Sequence, residues 1–218
     1  MQTGIDIQTQ LSALADLGAT WVMWLLVGLS AVCLSVVLER AHYFWHSRAS
    51  LASLQRDLDE ALRAEADERG RLRLAASAAQ EARVLSAALD ASRHGLDGLE
   101  ERLASAVELT RLDMERRLSV LGTIGSNAPF VGLLGTVIGI IGAFREMERA
   151  AGQVTAGLMA EIGEALIATA VGLFVALPAV VFFNLFSRVC RTRLSRADAL
   201  GKTLLAGLKT TRPAQPVE

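Results

Sequence analysis

The sequence predicts an all-α integral membrane protein with three transmembrane helices, its N-terminus outside and its C-terminus inside, and long cytoplasmic helical extensions. Three observations carry that expectation. The apolar residues, 52% of a 218-residue chain, are gathered into three blocks rather than scattered as in a soluble domain. Two of the blocks hold no charged residue and the third holds one. The basic residues fall almost wholly in the segments that alternate to one side of these blocks.

Residues 1–18 form the outer N-terminal segment, and the first span covers 19–38. A signal peptide would carry a basic start, whereas the first Lys or Arg is Arg40. Twenty helical residues at about 1.5 Å each match a hydrocarbon core of about 30 Å. Trp21 and Trp24 mark one end and His42, Tyr43, Phe44 and Trp45 the other, the belt expected where amphipathic rings meet headgroups. His42 and His46, four apart, read as headgroup anchors before they read as a metal pair.

Residues 39–117 hold 13 Arg against 15 acidic residues and no Pro, and are assigned to the cytoplasm. Leu51, Leu54, Leu58 and Leu62 recur at helical spacing, as do Leu96, Leu99, Leu103 and Val107. Gly95 and Gly98 are expected to make the turn between two helices. The charge run Arg56–Arg73 reads as a solvated helix face rather than a binding patch. From Glu101 to Leu121 the pattern predicts a helix running on into the second span.

Residues 118–144 form that helix and span. The loop 145–161 is short and outside. The third span covers 162–186, and 187–218 continue it as a basic cytoplasmic helix that Arg212-Pro213 ends, the last residues being expected to be disordered. Gly132, Gly135, Gly139 and Gly142 lie 3-4-3 apart on one face of the second span. Ala165, Ala168, Gly172, Ala176 and Ala179 make a second small stripe. Such stripes let helix backbones approach closely. Spacing alone favours packing within one chain over the lining of an interior shared between subunits.

Glu164 is the one charged residue inside a span. A carboxylate there is costly, about 2.5–3.5 kcal/mol for Asp at a helix centre and less near an end. It faces either a polar cavity or the membrane interface. Thr136 and Thr169 place hydroxyls near mid-span, where a buried Thr commonly bonds back to its own helix. Pro129 and Pro178 interrupt the backbone ladder, either as structural kinks or as hinges.

A net charge of −1 gives no pull toward nucleic acid, and Cys33 and Cys190, with no CxxC, support neither a disulfide framework nor a zinc site. No P-loop, HExxH or Ser-His-Asp arrangement is present, so an enzyme is not expected and no cofactor is called for. A solute carrier would show inverted repeats or several in-span polar groups. The competing class is a non-conducting scaffold that recruits cytoplasmic proteins through 39–117.

The run Ala128-Pro129-Phe130-Val131-Gly132-Leu133-Leu134-Gly135-Thr136-Val137-Ile138-Gly139 resembles the second-span signature of the MotA/TolQ/ExbB proton-channel proteins. Glu164-Ala165-Leu166-Ile167-Ala168-Thr169-Ala170-Val171-Gly172-Leu173, with Ala176-Leu177-Pro178-Ala179 and Asn184, is similar to their third-span signature. The resemblance is close over 118–190, looser at the first span and Glu39-Arg40, and slight over 50–95. Three spans fit the TolQ/ExbB branch better than the four-span flagellar stators. Two positions depart from the pattern. Glu161-Ile162-Gly163 stands where the family often has Pro-Gly-Ile, and Ile138 stands where it often has an aromatic residue.

The resemblance implies a subunit of a motor in the bacterial inner membrane driven by the proton motive force. Five copies would ring two copies of a TolR/ExbD-like single-span partner, whose Asp carries the protons that are the coupling ion. Thr136 and Thr169 would line the lumen opposite that Asp, and Glu164 would tune charge near the path. Pro129, Pro178, Gly132, Gly135, Gly139 and Gly172 would shape the pore helices. Membrane lipids are the remaining partner.

Overall fold

The computed structural model describes residues 20–47, 51–63, 68–77, 79–92 and 98–211. Among them every regular element is a helix: α1 Thr20–His46, α2 Leu51–Arg63, α3 Glu68–Ala76, α4 Gln80–Ser92, α5 Leu99–Glu115, α6 Leu118–Arg149 and α7 Ala156–Thr211. Three of them, α1, α6 and α7, are long and apolar enough to cross a membrane. The expectations for 1–18, for Gly95 and for 212–218 lie outside the described residues.

The described chain divides into two compact units, 20–38 with 117–184 and 39–116 with 185–211. The first is a three-helix unit. Val22, Leu26, Ile124, Ala128, Ala165, Ala168 and Ala179 are buried in it, while Trp24, Phe130, Phe144, Leu166 and Phe174 point outward. An apolar exterior on helices of this length suits contact with lipid or with other spans. The connection between α6 and α7 is tighter than the expected loop 145–161. Residues 145–149 and 156–161 are helical and only 150–155 are not. Arg145, Glu146, Glu148 and Arg149 are good helix formers, so the apolar boundary does not mark the helix end.

That end is a Schellman motif. The Gly152 N–H reaches the Met147 carbonyl at 2.9 Å and the Ala151 N–H the Glu148 carbonyl at 3.1 Å. Ala151 occupies the left-handed position, φ +51°, where glycine is usual. Ala151→Gly is therefore expected to stabilise the protein by up to about 1 kcal/mol, the left-handed strain of an L-residue less the added chain entropy of glycine. A thermal melt in detergent with an unchanged or lower midpoint would contradict this. Thr155 then caps α7, its hydroxyl accepting the Leu158 N–H at 3.1 Å.

The second unit has its own apolar core. Leu54, Leu58, Leu74, Leu85, Leu89, Leu99, Leu103, Leu200 and Leu204 are almost fully buried together. Each such leucine contributes about 1.5–3 kcal/mol relative to exposure. The structure corrects two expectations here. Among the described residues the segment after α1 forms four helices rather than two, and between α3 and α4 the Ser77 hydroxyl takes the Ala79 N–H at 3.3 Å. The run from Glu101 is not continuous into the second span. The helix stops at Glu115, Arg116 is extended at ψ 133°, Arg117 is left-handed at φ 66°, and α6 restarts at Leu118. The expected turn glycine Gly98 does adopt φ +70° and opens α5.

Arg193 pins the C-terminus of α1. One guanidinium nitrogen donates to the Ser47 carbonyl at 3.0 Å and the Ser47 hydroxyl at 2.7 Å, and another donates to the Phe44 carbonyl at 2.9 Å. A helix C-terminus leaves its last carbonyls unpaired, and a cation there is favoured by the helix dipole as well. Of the charge run, Arg73 and Glu60 pair at 2.8 Å on the exposed surface. His42 and His46 are exposed and stack with ring centroids 5.9 Å apart, presenting parallel faces rather than converging lone pairs.

Both cysteines are buried and free. Burial pushes the Cys190 thiol, beyond the third apolar block, up to about 11. The folded state holds this proton after the unfolded chain has released it, so stability falls as pH rises from about 9 through 11. At neutral pH the thiol stays protonated, and Cys190 is expected to resist alkylation until the protein is denatured. Rapid iodoacetamide labelling of the native chain at pH 7.5 would contradict that.

Candidate functional site

The face that brings α6 and α7 together is made of the two small-residue stripes. A Cβ added to Gly172 would lie 2.7 Å from the Ala128 carbonyl oxygen, and one on Gly132 would lie 2.8 Å from that of Ala168. Cβ atoms at Gly135 and Gly139 would meet the Cβ of Ala168 at 2.7 Å and of Ala165 at 2.6 Å. The backbones are thus in direct contact, which side chains elsewhere prevent. Gly132, Gly135, Gly139 and Gly172 are buried within the chain. The glycine stripe is filled by its own neighbouring helix and is not left open as a lining surface.

At this contact Thr169 donates its hydroxyl to the Gly132 carbonyl across the two helices at 3.1 Å. Thr136, one turn along α6, donates to the Leu133 carbonyl of its own helix at 2.6 Å. Both threonines are half-buried. The helix packing therefore brings Thr136 and Thr169 to the same turn of α6, on consecutive carbonyls. Thr136 bonds back as a helical threonine commonly does, and Thr169 does not.

Glu164 stands apart from this pair, five residues before Thr169. It is half-buried, and its carboxylate accepts the Thr20 hydroxyl at 3.1 Å. Thr20 was not singled out by the sequence. The only available signal was a hydroxyl residue at the mouth of the first span, and its match to Glu164 depends on how α1 packs. Glu161, in the departure from the family pattern, tucks its carboxylate against Gly142, where an added Cβ would lie 2.7 Å from Oε2. That oxygen is buried and without a hydrogen-bond partner.

Pro129 and Pro178 lie inside continuous helices, α6 and α7. Each lacks an N–H, so the carbonyl four residues earlier loses its helical donor. Pro178 also lines a cavity of about 140 Å³ with Ser30, Cys33, Leu34 and Val37 of α1. The start of the second span carries polar residues that sequence reasoning passed over. Thr123, Ser126 and Asn127 are exposed and bond to the carbonyls of Ser119, Gly122 and Thr123 at 2.8–2.9 Å. Their spacing on one helix edge was the available signal. Bonding to their own helix lets polar groups sit on an otherwise apolar span.

Residues 73–199, more than half of the chain, match the family model of the MotA/TolQ/ExbB proton channel family. The chain belongs to that family. The match takes in both threonines, Glu164 and the whole α6–α7 contact. Among relatives of this MotA/TolQ/ExbB chain, the biopolymer transport protein ExbB of Xanthomonas campestris is 40% identical over 106 residues, 49% of this chain and 42% of that protein. The Tol-Pal system protein TolQ of Pseudomonas aeruginosa is 41% identical over 92 residues, 42% of this chain and 40% of that protein. The biopolymer transport protein ExbB of Neisseria gonorrhoeae is 37% identical over 110 residues, 49% and 50% of the two chains. In each the matched stretch covers half or less of the relative. MotA/TolQ/ExbB membership and three apolar helices make this a membrane protein.

Proposed function

We propose that the chain is a subunit of a proton-driven motor in the bacterial inner membrane, coupling proton flow to work across the cell envelope. Residues 1–18 and the α6–α7 connection face the periplasm, and 39–117 and 187–218 face the cytoplasm, a reading that the distribution of basic residues supports. Copies of the chain assemble as a ring, five in number, around two copies of a TolR/ExbD-like single-span partner. That partner supplies the carboxylate that carries protons, the coupling ion. Thr136 and Thr169 serve that carboxylate, and Glu164 sets the charge near the outer end of the path. Pro129, Pro178, Gly132, Gly135, Gly139 and Gly172 hold the pore helices in shape.

The observation that carries this reading is that Thr136 and Thr169 bond to the adjacent Leu133 and Gly132 carbonyls of one turn, inside a helix pair that matches the family. The three spans otherwise hold a single charged group, Glu164, too few for a proton relay across about 30 Å. A partner must supply the rest. Each proton crossing is worth about 2.3 kcal/mol per 100 mV, enough to bias a step between ring positions.

The test is to weigh the complex from native membranes by native mass spectrometry and then measure proton flux. Five copies with two of a small carboxylate-bearing single-span chain are expected. Thr136→Ala and Thr169→Ala should each abolish flux while the ring stays assembled, and Glu164→Ala should impair it more than Glu164→Gln. A monomer, or a complex with cytoplasmic proteins alone, would favour the scaffold reading. Wild-type flux in both threonine variants would remove them from the path.

A further inference from the structure

We propose that the exposed arginines Arg116, Arg188 and Arg191 form a headgroup site for anionic phospholipid at the membrane surface. The site requires only that the chain spans a membrane, and it stands apart from the motor reading. Its basis is a juxtaposition that the fold makes. The Cys190 thiol donates to the Met114 carbonyl at 3.6 Å, so the last turn of α5 lies against α7. Arg116 stands two residues beyond Met114, and Arg188 and Arg191 flank Cys190. All of them belong to the second unit.

The charge balance at this place is left positive. Arg116, Arg188 and Arg191 are exposed, and among the described residues none of them has a carboxylate partner. The nearby acids on α5 are already engaged. Glu115 pairs with Arg111 at 3.1 Å and Asp113 with Arg83 at 3.6 Å. Two more cations stand close to Cys190. Burial governs that thiol, and the charged groups that reach it are Glu115, Arg40 and Arg193. Arg193 is engaged at the end of α1. Arg40 is only 4% exposed, pairs with Glu39 at 3.8 Å, and has an Nε without a hydrogen-bond partner. Two buried guanidinium groups therefore add their field to that of the three exposed ones.

The depth along α7 matches that of a lipid phosphate. The helix runs on without a break past Phe186, where the third apolar block ends. At about 1.5 Å per residue, Arg188 and Arg191 come about 3 and 7.5 Å beyond it. The headgroup layer is about 5–8 Å deep on each side of the hydrocarbon core. A guanidinium offers a planar fork of N–H donors that suits phosphate oxygens. A zwitterionic lipid brings its own cation with the phosphate, and the arginines repel it. Net-anionic lipid is therefore the species selected, and its acyl chains keep it in the layer where a soluble anion would diffuse away.

The probe is dioleoyl phosphatidylglycerol, with dioleoyl phosphatidylcholine as the reference. Each is titrated onto the full-length protein in mild detergent, and bound lipid is counted by native mass spectrometry. At low salt phosphatidylglycerol is expected to bind at least about tenfold more tightly, and raising the salt should shrink that preference. Arg116→Gln, Arg188→Gln and Arg191→Gln should each weaken its binding by about fivefold, and the lysine variants should retain most of it. Arg149→Gln, at an exposed arginine of the opposite end of α6, should leave it unchanged. The three side chains are exposed, so thermal midpoints of the glutamine variants should equal the wild type. Were one to fall, the wild-type preference and its salt dependence still decide. Equal affinity for the two lipids overturns the proposal, as does full phosphatidylglycerol binding in the triple glutamine variant. An equal loss in Arg149→Gln would reduce the effect to general charge and overturn it too. Displacement by inorganic phosphate at constant ionic strength would show a site for the free anion rather than the lipid. Each of these failures leaves the motor reading standing.

Discussion

Gly172→Ala is expected to destabilise the protein by at least about 3 kcal/mol and to collapse the yield of assembled complex, whereas Gly28→Ala should be neutral within about 0.5 kcal/mol. The added Cβ at 172 would lie 2.7 Å from a backbone carbonyl oxygen and 3.0 Å from the Gly132 Cα. Neither is the end of a flexible side chain, so α6 and α7 must separate. Separation would lengthen the Thr169–Gly132 bond and loosen the Gly135–Ala168 and Gly139–Ala165 contacts together. Gly132→Ala should behave alike. Gly142→Ala should not, because the atom it meets is the Glu161 carboxylate, which can swing aside. Thermal midpoints in detergent, with gel filtration of the recovered complex, measure the series. Equal midpoints for Gly172→Ala and Gly28→Ala would mean the helices do not touch as described.

Arg193→Ala should cost about 2–4 kcal/mol, and the damage should concentrate at the end of α1. Arg193 is only 9% exposed, and its three hydrogen bonds satisfy the Phe44 and Ser47 carbonyls and the Ser47 hydroxyl. Its guanidinium also lies 5.6 Å over the Phe44 ring. Truncation leaves buried carbonyls unpaired, each worth about 1–3 kcal/mol. Lysine recovers only part, since one ammonium cannot reproduce a planar fork reaching two carbonyls. Hydrogen exchange reads this locally. The Ser47 amide, bonded to the Tyr43 carbonyl at 3.1 Å, should exchange markedly faster in Arg193→Ala. Unchanged exchange there would show that Arg193 does not hold the helix end.

The three apolar helices were legible because a stretch of about twenty apolar residues without charge matches the thickness of a bilayer and little else in a folded chain. Gly98 was legible because glycines at the start of a periodic run offer the left-handed conformation cheaply. The break at Arg116-Arg117 was not, since arginine is a good helix former and nothing local marks the stop. The two-helix expectation for 39–117 failed for a similar reason. The α4 stripe of Ala82, Leu85, Ala88 and Leu89 is short and alanine-rich, and it gains meaning only from the core it enters. In the tail, Ala197, Leu200 and Leu204 were hidden among basic residues.

In the candidate site the residue types were legible and their relations were not. The two stripes could be read from spacing, but not that Gly132 opposes Gly172. Thr136 and Thr169 were found as mid-span hydroxyls. That one bonds within its helix and the other across to its neighbour depends on the register between α6 and α7. Thr20 as the partner of Glu164 depends on packing 144 residues away in sequence.

The backbone contact of α6 with α7 has a mechanical consequence. Side chains between helices act as springs, yielding by rotamer changes while their backbones slide. At Gly132 and Gly172 there are no such springs, and the interhelical bond of Thr169 resists shear at the same point. The pair is therefore stiff against relative sliding, and over this stretch it moves as one two-stranded element. Any compliance that an assembly of these chains needs must come from the outward faces of the pair, where Phe130, Val137, Phe174 and Val181 stand free to repack.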